Sequence, residues 1–207
     1  MRATYDRIAD HFSKTREYPW PEVESFLDGR SGAVGLDVGC GNGRHTAVLA
    51  DCCDCAVGVD VSREILRTTS DRAVERGHSY GLAQADAARL PVRRGTADLA
   101  VYVATLGHLP RRAQRVGSLD ELARVLTPDG RALVSAWSTE HDRFDETEGF
   151  DTTVEWTLPG GEAVDRFYHI YDPVEFRGDV DASGLELVDF EVSSGNCYGV
   201  VRAGGSE

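Results

Sequence analysis

The sequence has almost no lysine: of its 22 basic residues one, Lys14, is a lysine and the other 21 are arginines, against 35 acidic residues and a formal charge of -13. A chain this acidic cannot spread nucleic-acid contacts over its whole surface, so any RNA contact is confined to a local arginine patch. The lysine-poor, acidic surface reads as solvation in a salt-rich, halophile-like cytoplasm, where screening limits self-repulsion. The opening residues Met1-Arg-Ala-Thr-Tyr-Asp lack the apolar stretch of a signal peptide, and no run is long enough to span a bilayer; a cytoplasmic location is expected. Five cysteines, an odd number without secretory context, argue against a disulfide framework. Cys52, Cys53 and Cys55 have no matching cysteine or histidine pair at zinc-ligand spacing, so no metal site is expected. Internal repeats and low-complexity tracts are missing too. The 207 residues suit a single α/β domain with a modest insertion and no second cofactor domain.

Hydrophobic periodicity lays out that domain. Residues 1–30 read as a helical lead-in: Tyr5, Ile8, Ala9 and Phe12 fall at helical spacing, and Pro19-Trp20-Pro21 opens a second short helix. Strands are expected at about 33–38, 55–60, 79–84, 98–104 and 131–137, with helices at about 43–50, 62–76 and 111–126 between them. Ser62 is placed to cap the second of these helices and Gly77 to end it. Strands alternating with helices predict a mostly parallel, doubly wound sheet. From 138 to 161 the composition turns to Asp, Glu, Thr and Gly with little apolar periodicity, which predicts an insertion or a mobile loop. A short helix near 173–182 and strands at 185–192 and 197–202, an antiparallel edge pair, close the chain.

The first strand runs into Leu36-Asp-Val-Gly-Cys-Gly-Asn-Gly-Arg44. Glycines at 39, 41 and 43 let the backbone turn sharply and admit a ligand closer than side chains would allow, with helix-start amides facing it. The dinucleotide fingerprint requires a glycine where Arg44 stands, and Asp37 precedes the first glycine by two, so a pyrophosphate cofactor fits poorly. Asp-x-Gly-x-Gly-x-Gly resembles motif I of the class I S-adenosylmethionine methyltransferases. That resemblance implies a Rossmann-like fold: a mostly parallel seven-stranded sheet with helices on both faces. Asp60 follows Gly39 by 21 residues, where a carboxylate can accept both ribose hydroxyls, and Asp86 after strand three is placed for the adenine amine beside the Ala87 amide. Val61 and Val103 complete the expected cofactor set with Asp37, Gly39, Gly41 and Gly43.

A more specific likeness lies outside that loop. Tyr5-Asp-Arg-Ile-Ala-Asp-His-Phe-Ser-Lys-Thr-Arg16, Pro19-Trp20-Pro21, Gly107-His108-Leu109, Trp137, Arg166-Phe-Tyr-His169 and Gly195-Asn196-Cys197 resemble the methyltransferases that esterify 5-carboxymethyluridine at the tRNA wobble position. The likeness spans nearly the whole domain. Two positions bear on it: Arg44 is the family's usual basic residue after the glycine loop, whereas Gly107 stands where the family often has the first of two histidines. The resemblance implies a tRNA substrate and a small zinc-ribbon activator protein that pairs with the third-strand edge, residues 79–84, as a heterodimer.

Esterification suits the residues in question. A carboxylate nucleophile is already ionised near neutral pH, so placement rather than a general base is required. Arg16 and Arg166 are the candidates to hold it bidentately; His108, Tyr168, His169 and Asn196 could bond the carboxylate or the uracil edge, and Trp20 or Trp137 could stack on the base. Arg111, Arg112 and Arg115 are either an RNA-phosphate patch or a solvated helix face. Two other functions stay open at this point: methylation of a small-molecule carboxylate or hydroxyl, and a non-catalytic cofactor- or RNA-binding module.

Overall fold

The computed structural model of the chain describes residues 1–205. Its elements in order are α1 (Arg2–Lys14), α2 (Pro21–Leu27), β1 (Gly32–Val38), α3 (Arg44–Cys52), β2 (Cys53–Asp60), α4 (Arg63–Arg76), β3 (Gly81–Gln84), β4 (Ala97–Val103), α5 (Arg112–Val125), β5 (Leu126–Trp137), β6 (Phe150–Thr157), β7 (Ala163–Ile170), α6 (Pro173–Asp181), β8 (Leu185–Ser193) and β9 (Asn196–Ala203), with a short 3-10 turn at Leu106–His108 after β4. Seven strands form one sheet in the order β3-β2-β1-β4-β5-β9-β8. The first five are parallel; β9 runs antiparallel to both β5 and β8, so the expected C-terminal pair is there with β8 outermost.

Both faces are covered, which is why β4 is apolar without interruption. Its Leu99, Val101 and Val103 pack with Val23, Phe26 and Leu27 of α2 and Leu49 of α3. Ala100 and Tyr102 face Leu119, Leu122 and Val125 of α5, and the Tyr102 hydroxyl meets Ser118 Oγ at 2.9 Å. Helix α4 starts and stops where its cap residues require: Ser62 Oγ accepts from the Ile65 amide at 3.1 Å and Gly77 closes the helix in the left-handed region.

The segment 138–161 differs most from its expected form. Its second half is β6, paired antiparallel with β7 from Phe150↔Ile170 to Thr157↔Ala163. Phe150, Thr152, Val154 and Trp156 turn inward while Asp151, Thr153, Glu155 and Thr157 are exposed. Half-polar alternation with two threonines on the outer face left no apolar periodicity to read, and the pairing strand lies downstream of the segment. This hairpin stands apart from the main sheet and leans on α1 across the carboxyl ends of the parallel strands. Elsewhere the differences are at element ends. β5 begins at Leu126 because Leu126 pairs with Ala97 before a bulge carries the register to Leu99↔Arg131.

Gly39, at φ +74°, would place a Cβ inside the Thr105 side chain, 2.7 Å from its own Cβ. Gly77 has a similar φ of +72° and open space around it. Gly39→Ala should therefore destabilise the chain by roughly 3 kcal/mol or more, strain plus overlap, and Gly77→Ala by about 1 kcal/mol, strain alone. Urea unfolding of the two variants checks this; equal losses would remove Thr105 from the account.

Candidate active site

A cavity of about 410 Å³ opens at the carboxyl ends of β1, β2, β4 and β5, under α1 and the hairpin. It is the crevice where doubly wound sheets hold ligands. Its floor is the glycine loop. Gly39, Gly41 and Gly43 all have positive φ (+74°, +53° and +75°), and the Gly39 and Cys40 amides donate to Val59 O. Gly39 and Gly41 line the cavity, whereas Gly43 turns away, and a Cβ there would meet Thr69 and Tyr80. The third glycine therefore serves packing.

Asp37 also lies outside the cavity wall, contrary to its expected cofactor contact. It is buried beneath the loop, where its Oδ2 accepts from Thr46 Oγ1 of α3 at 2.6 Å. Burial pushes its carboxyl up to about 7, opposed by the Thr46 bond. The strand alternation explains the placement: Asp37 faces the α3 side, and the turn itself carries the chain over the cavity. Asp60 is in the wall, its Oδ2 accepting from the Gly41 amide at 3.1 Å and its Oδ1 from the Ser62 amide at 2.9 Å. A carboxylate has about four acceptor sites, so acceptor capacity remains toward the cavity. Val61, Asp86, Ala87 and Val103 line the same end, and Asp86 spends one oxygen on the Ala88 amide at 2.9 Å.

The other end is cationic. Arg16, Arg44 and Arg166 line it, and none of the three meets a carboxylate in an ion pair among the described residues. The guanidiniums of Arg16 and Arg166 each lie 4.8 Å from the Trp156 ring centre. Arg166 is buried, donates from Nη1 to Tyr168 Oη at 2.8 Å, and leaves its Nε without a partner. Burial, then the neighbouring Arg166, lowers the Arg16 pKa; burial, then Arg16, lowers that of Arg44 to about 10. Like charges gathered in so buried a wall repel one another, which an anion between them reverses.

Helix α1 is held in place by the loop itself. Asn42 Nδ2 donates to the Ser13 carbonyl at 3.1 Å and to the Arg16 carbonyl, fixing the turn that carries Arg16. Tyr5 of the same helix reaches His108 Nε2 at 2.7 Å, and His108 Nδ1 meets Phe167 O at 2.8 Å. A carbonyl only accepts, so Nδ1 carries the proton and Nε2 accepts from the Tyr5 hydroxyl. Burial depresses the His108 pKa to about 4, consistent with a neutral ring.

Trp137 and Asn196, opposite each other across β5 and β9, close the wall, and Trp137 meets Tyr168 edge-on at 5.3 Å. Trp20 lines it as well, with the Arg44 guanidinium 5.4 Å from its ring. His169 does not join them. On β7 Arg166 and Tyr168 share one face, and His169 faces the other, its Nδ1 2.8 Å from Asp151 Oδ1 and its Nε2 3.0 Å from Glu175 Oε1. Its carbonyl explains Gly107, where a Cβ would come within 2.7 Å of that oxygen. The Arg111, Arg112 and Arg115 cluster is largely consumed inside the fold: Arg112 meets Asp179 at 2.6 Å, and buried Arg115 bridges Glu175 and Asp179. Those acids come from α6, which no reading of α5 alone could supply.

Sequence reasoning missed Tyr5 and Phe12, taken as packing residues of a lead-in helix, and Trp156, hidden in the segment expected as an insertion or loop. A tryptophan inside an acidic, otherwise polar stretch was the available signal.

Residues 36–134 match the family described as Methyltransferase domain. An Arabidopsis thaliana tRNA (carboxymethyluridine(34)-5-O)-methyltransferase is 38% identical over 143 residues, covering 69% of this chain and 33% of that protein. The chain spans a fifth to a third of the length of the first curated relatives it matches. The Schizosaccharomyces pombe protein of the same name is 28% identical over 91% of this chain and 90% of its own length. Among solved structures, a complex between the Haloferax volcanii Trm112 methyltransferase activator and a methyltransferase superposes with a TM-score of 0.77 at 15% identity, over 100% of this chain and 98% of that one.

Thr46→Ala removes the bond that favours the ionised form of Asp37. The folded-state pKa of Asp37 is raised above its unfolded value near 3.8, so its contribution to stability is lost as pH rises through about 7. The variant raises that pKa further. Its deficit relative to wild type should be small at pH 5 and grow to roughly 1–3 kcal/mol at pH 8; a pH-independent deficit in urea titrations would contradict this.

Proposed function

From a methyltransferase domain at residues 36–134 on the class I S-adenosylmethionine-dependent methyltransferase fold, we propose that the chain methylates the carboxylate of a 5-carboxymethyluridine at the wobble position of tRNA. The observation that carries this reading is the set of three arginines, Arg16, Arg44 and Arg166, in one cavity wall of a protein with a charge of -13, none of which meets a carboxylate in an ion pair among the described residues. Buried Asp37 acts on Arg44 from beneath the loop, and an anionic substrate accounts for the cations that remain.

The residues present fit the cofactor. Asp60 offers acceptors for a ribose diol, Asp86 for an adenine amine, and Val61 and Leu109 give apolar walls for a flat base. Gly39 and Gly41 line the floor where its amino-acid end would lie. Bound there, S-adenosylmethionine supplies an electrophilic sulfonium methyl group.

The chain's own part is placement. Arg166 and Arg16 grip the substrate carboxylate, and the orphaned Arg166 Nε supplies one of the hydrogen bonds. Trp156 holds both guanidiniums by stacking, while Tyr168 steers the Arg166 fork through its hydroxyl. Trp137 presents a face to the uracil and Asn196 an amide to its edge. Neutral His108, locked by Tyr5 and the Phe167 carbonyl, has both nitrogens engaged and acts by holding the wall rather than by taking a proton. The nucleophile is ionised at neutral pH, and holding it aligned accounts for several kcal/mol of the barrier. An activator protein adds a strand to the exposed edge of β3; the neighbour of shared architecture is a methyltransferase in complex with the Trm112 activator.

Labelled methyl transfer to tRNA carrying 5-carboxymethyluridine, with and without the activator, tests the proposal. Base-labile label in the RNA is expected, and no label under either condition refutes it. Two variants separate the halves of the site. Asp60→Ala should weaken S-adenosylmethionine binding by roughly a hundredfold, read by calorimetry. Arg166→Ala should leave that affinity within about twofold and lower kcat/KM for the RNA by roughly a hundredfold or more.

A further inference from the structure

A second cavity, of about 180 Å³, lies on the far side of the glycine loop between α3 and α4. Arg44 lines both cavities, one from each side. Beyond it in the second cavity stand Arg72 and Arg76 of α4, so that Arg166, Arg16 and Arg44 line one cavity and Arg44, Arg72 and Arg76 the other. Each is close enough to lower the pKa of its neighbour: Arg166 acts on Arg16, Arg16 and Arg72 act on Arg44, and Arg76 acts on Arg72. Three acids stand beside the three arginines of the second half: Glu17 pairs with Arg76 at 3.1 Å, Glu75 neighbours Arg72, and Asp51 is the other acid of the cavity wall. Arg72 spends its donors on the backbone carbonyls of Ser13 and Glu17, at 3.3 and 2.9 Å, and meets no carboxylate in an ion pair.

Aromatic rings interleave with these cations. His78 and Tyr80 lie near-parallel, their planes 24° apart with centroids at 6.4 Å, and Tyr18 at the rim is 75% exposed. Nothing in the fold covers Tyr18. Stacking platforms set among arginines are the usual means of holding single-stranded nucleic acid, where phosphates pair with guanidiniums and bases lie on rings.

We propose that the Arg44–Arg72–Arg76 track and the second cavity hold the strand flanking the target uridine, with its phosphodiesters on the arginines and the adjacent base against Tyr18 or the His78–Tyr80 pair. The assignment rests on the RNA substrate proposed above and adds the path by which the strand leaves the site. It places the phosphate contacts on α4, on the opposite side of the target cavity from the consumed arginines of α5.

The test uses the full chain and an anticodon stem-loop RNA carrying 5-carboxymethyluridine, with the free 5-carboxymethyluridine nucleoside as a second substrate lacking flanking phosphates. Arg72→Ala/Arg76→Ala should raise the Kd for the stem-loop at least tenfold and lower the slope of log Kd against log salt by about 1.4, since each single-strand phosphate contact contributes roughly 0.7. Tyr18→Ala should raise Kd several-fold with the slope intact, and Glu17→Gln should tighten binding. Cofactor affinity and turnover of the nucleoside should not change in Arg76→Ala, Tyr18→Ala or Glu17→Gln. Arg72 ties α4 through two carbonyls to the turn that carries Arg16, so Arg76→Ala alone, which removes only the exposed pair with Glu17, supplies the check with about half the slope change. Unaltered stem-loop affinity and salt slope in the variants overturn the track, even if wild type methylates the RNA. Loss of stimulation by the activator with normal RNA binding overturns it as well, by making this face a protein contact. Slope changes as expected in a chain that methylates neither substrate would keep the track and overturn the carboxymethyluridine reading.

Discussion

Gly39 sits in left-handed backbone with the Thr105 side chain where its Cβ would be, and that single close approach ties the floor of the cavity to its wall. Thr105 follows β4 and Gly39 follows β1, so the loop between β1 and α3 is pressed against the neighbouring strand's end as tightly as backbone allows. From this position Asn42 reaches the carbonyls of Ser13 and Arg16, Gly41 gives its amide to Asp60, and α3 begins with Arg44 facing the cavity. The glycine turn therefore arranges both halves of the site: directly at the end marked by Asp60, and through α1 at the end marked by Arg16.

Charge is the second constraint. Several ion pairs in the fold are exposed surface contacts worth little individually. Against that background the exceptions stand out. Arg115 is buried because Asp179 and Glu175 meet it, joining α5 to α6. Arg166 is as buried and meets no acid in an ion pair among the described residues, held by the Trp156 and Tyr168 rings and a single hydroxyl bond. Burying a guanidinium without a counterion is unfavourable, so the two arginines differ in kind: one is neutralised inside the fold and the other is not.

The hairpin of β6 and β7 walls one side of the cavity above the sheet. Its alternation decides which residues of the Arg-Phe-Tyr-His block face the cavity: Arg166 and Tyr168 do, Phe167 contributes its carbonyl to His108, and His169 is turned to Asp151 and Glu175. The same strand passes so close to the turn after β4 that position 107 must be glycine, so the histidine often found there in the resembling family has no room. A block that reads as one motif is split by the pleat into a cavity-facing half and a packing half.

The chain order of strands and helices, the caps of α4, and the glycine turn were legible because each is a local demand of the backbone: periodicity, a capping hydroxyl, or freedom at positive φ. Asp60 and Asp86 could be named because sheet topology forces strand ends to one rim, and Arg16 and Arg166 because they fall in the blocks that resemble the tRNA methyltransferases. Contacts between distant segments were not legible. Trp156 under both arginines, Tyr5 on His108, Asn42 on the end of α1, and the salt bridges that consume Arg112 and Arg115 join positions up to 145 residues apart, as Trp156 does with His11. Sequence determined which residues could bear the chemistry. Only the tertiary structure decided which of them lack partners, because an ion pair or a stacked ring is made between elements whose proximity no local pattern encodes.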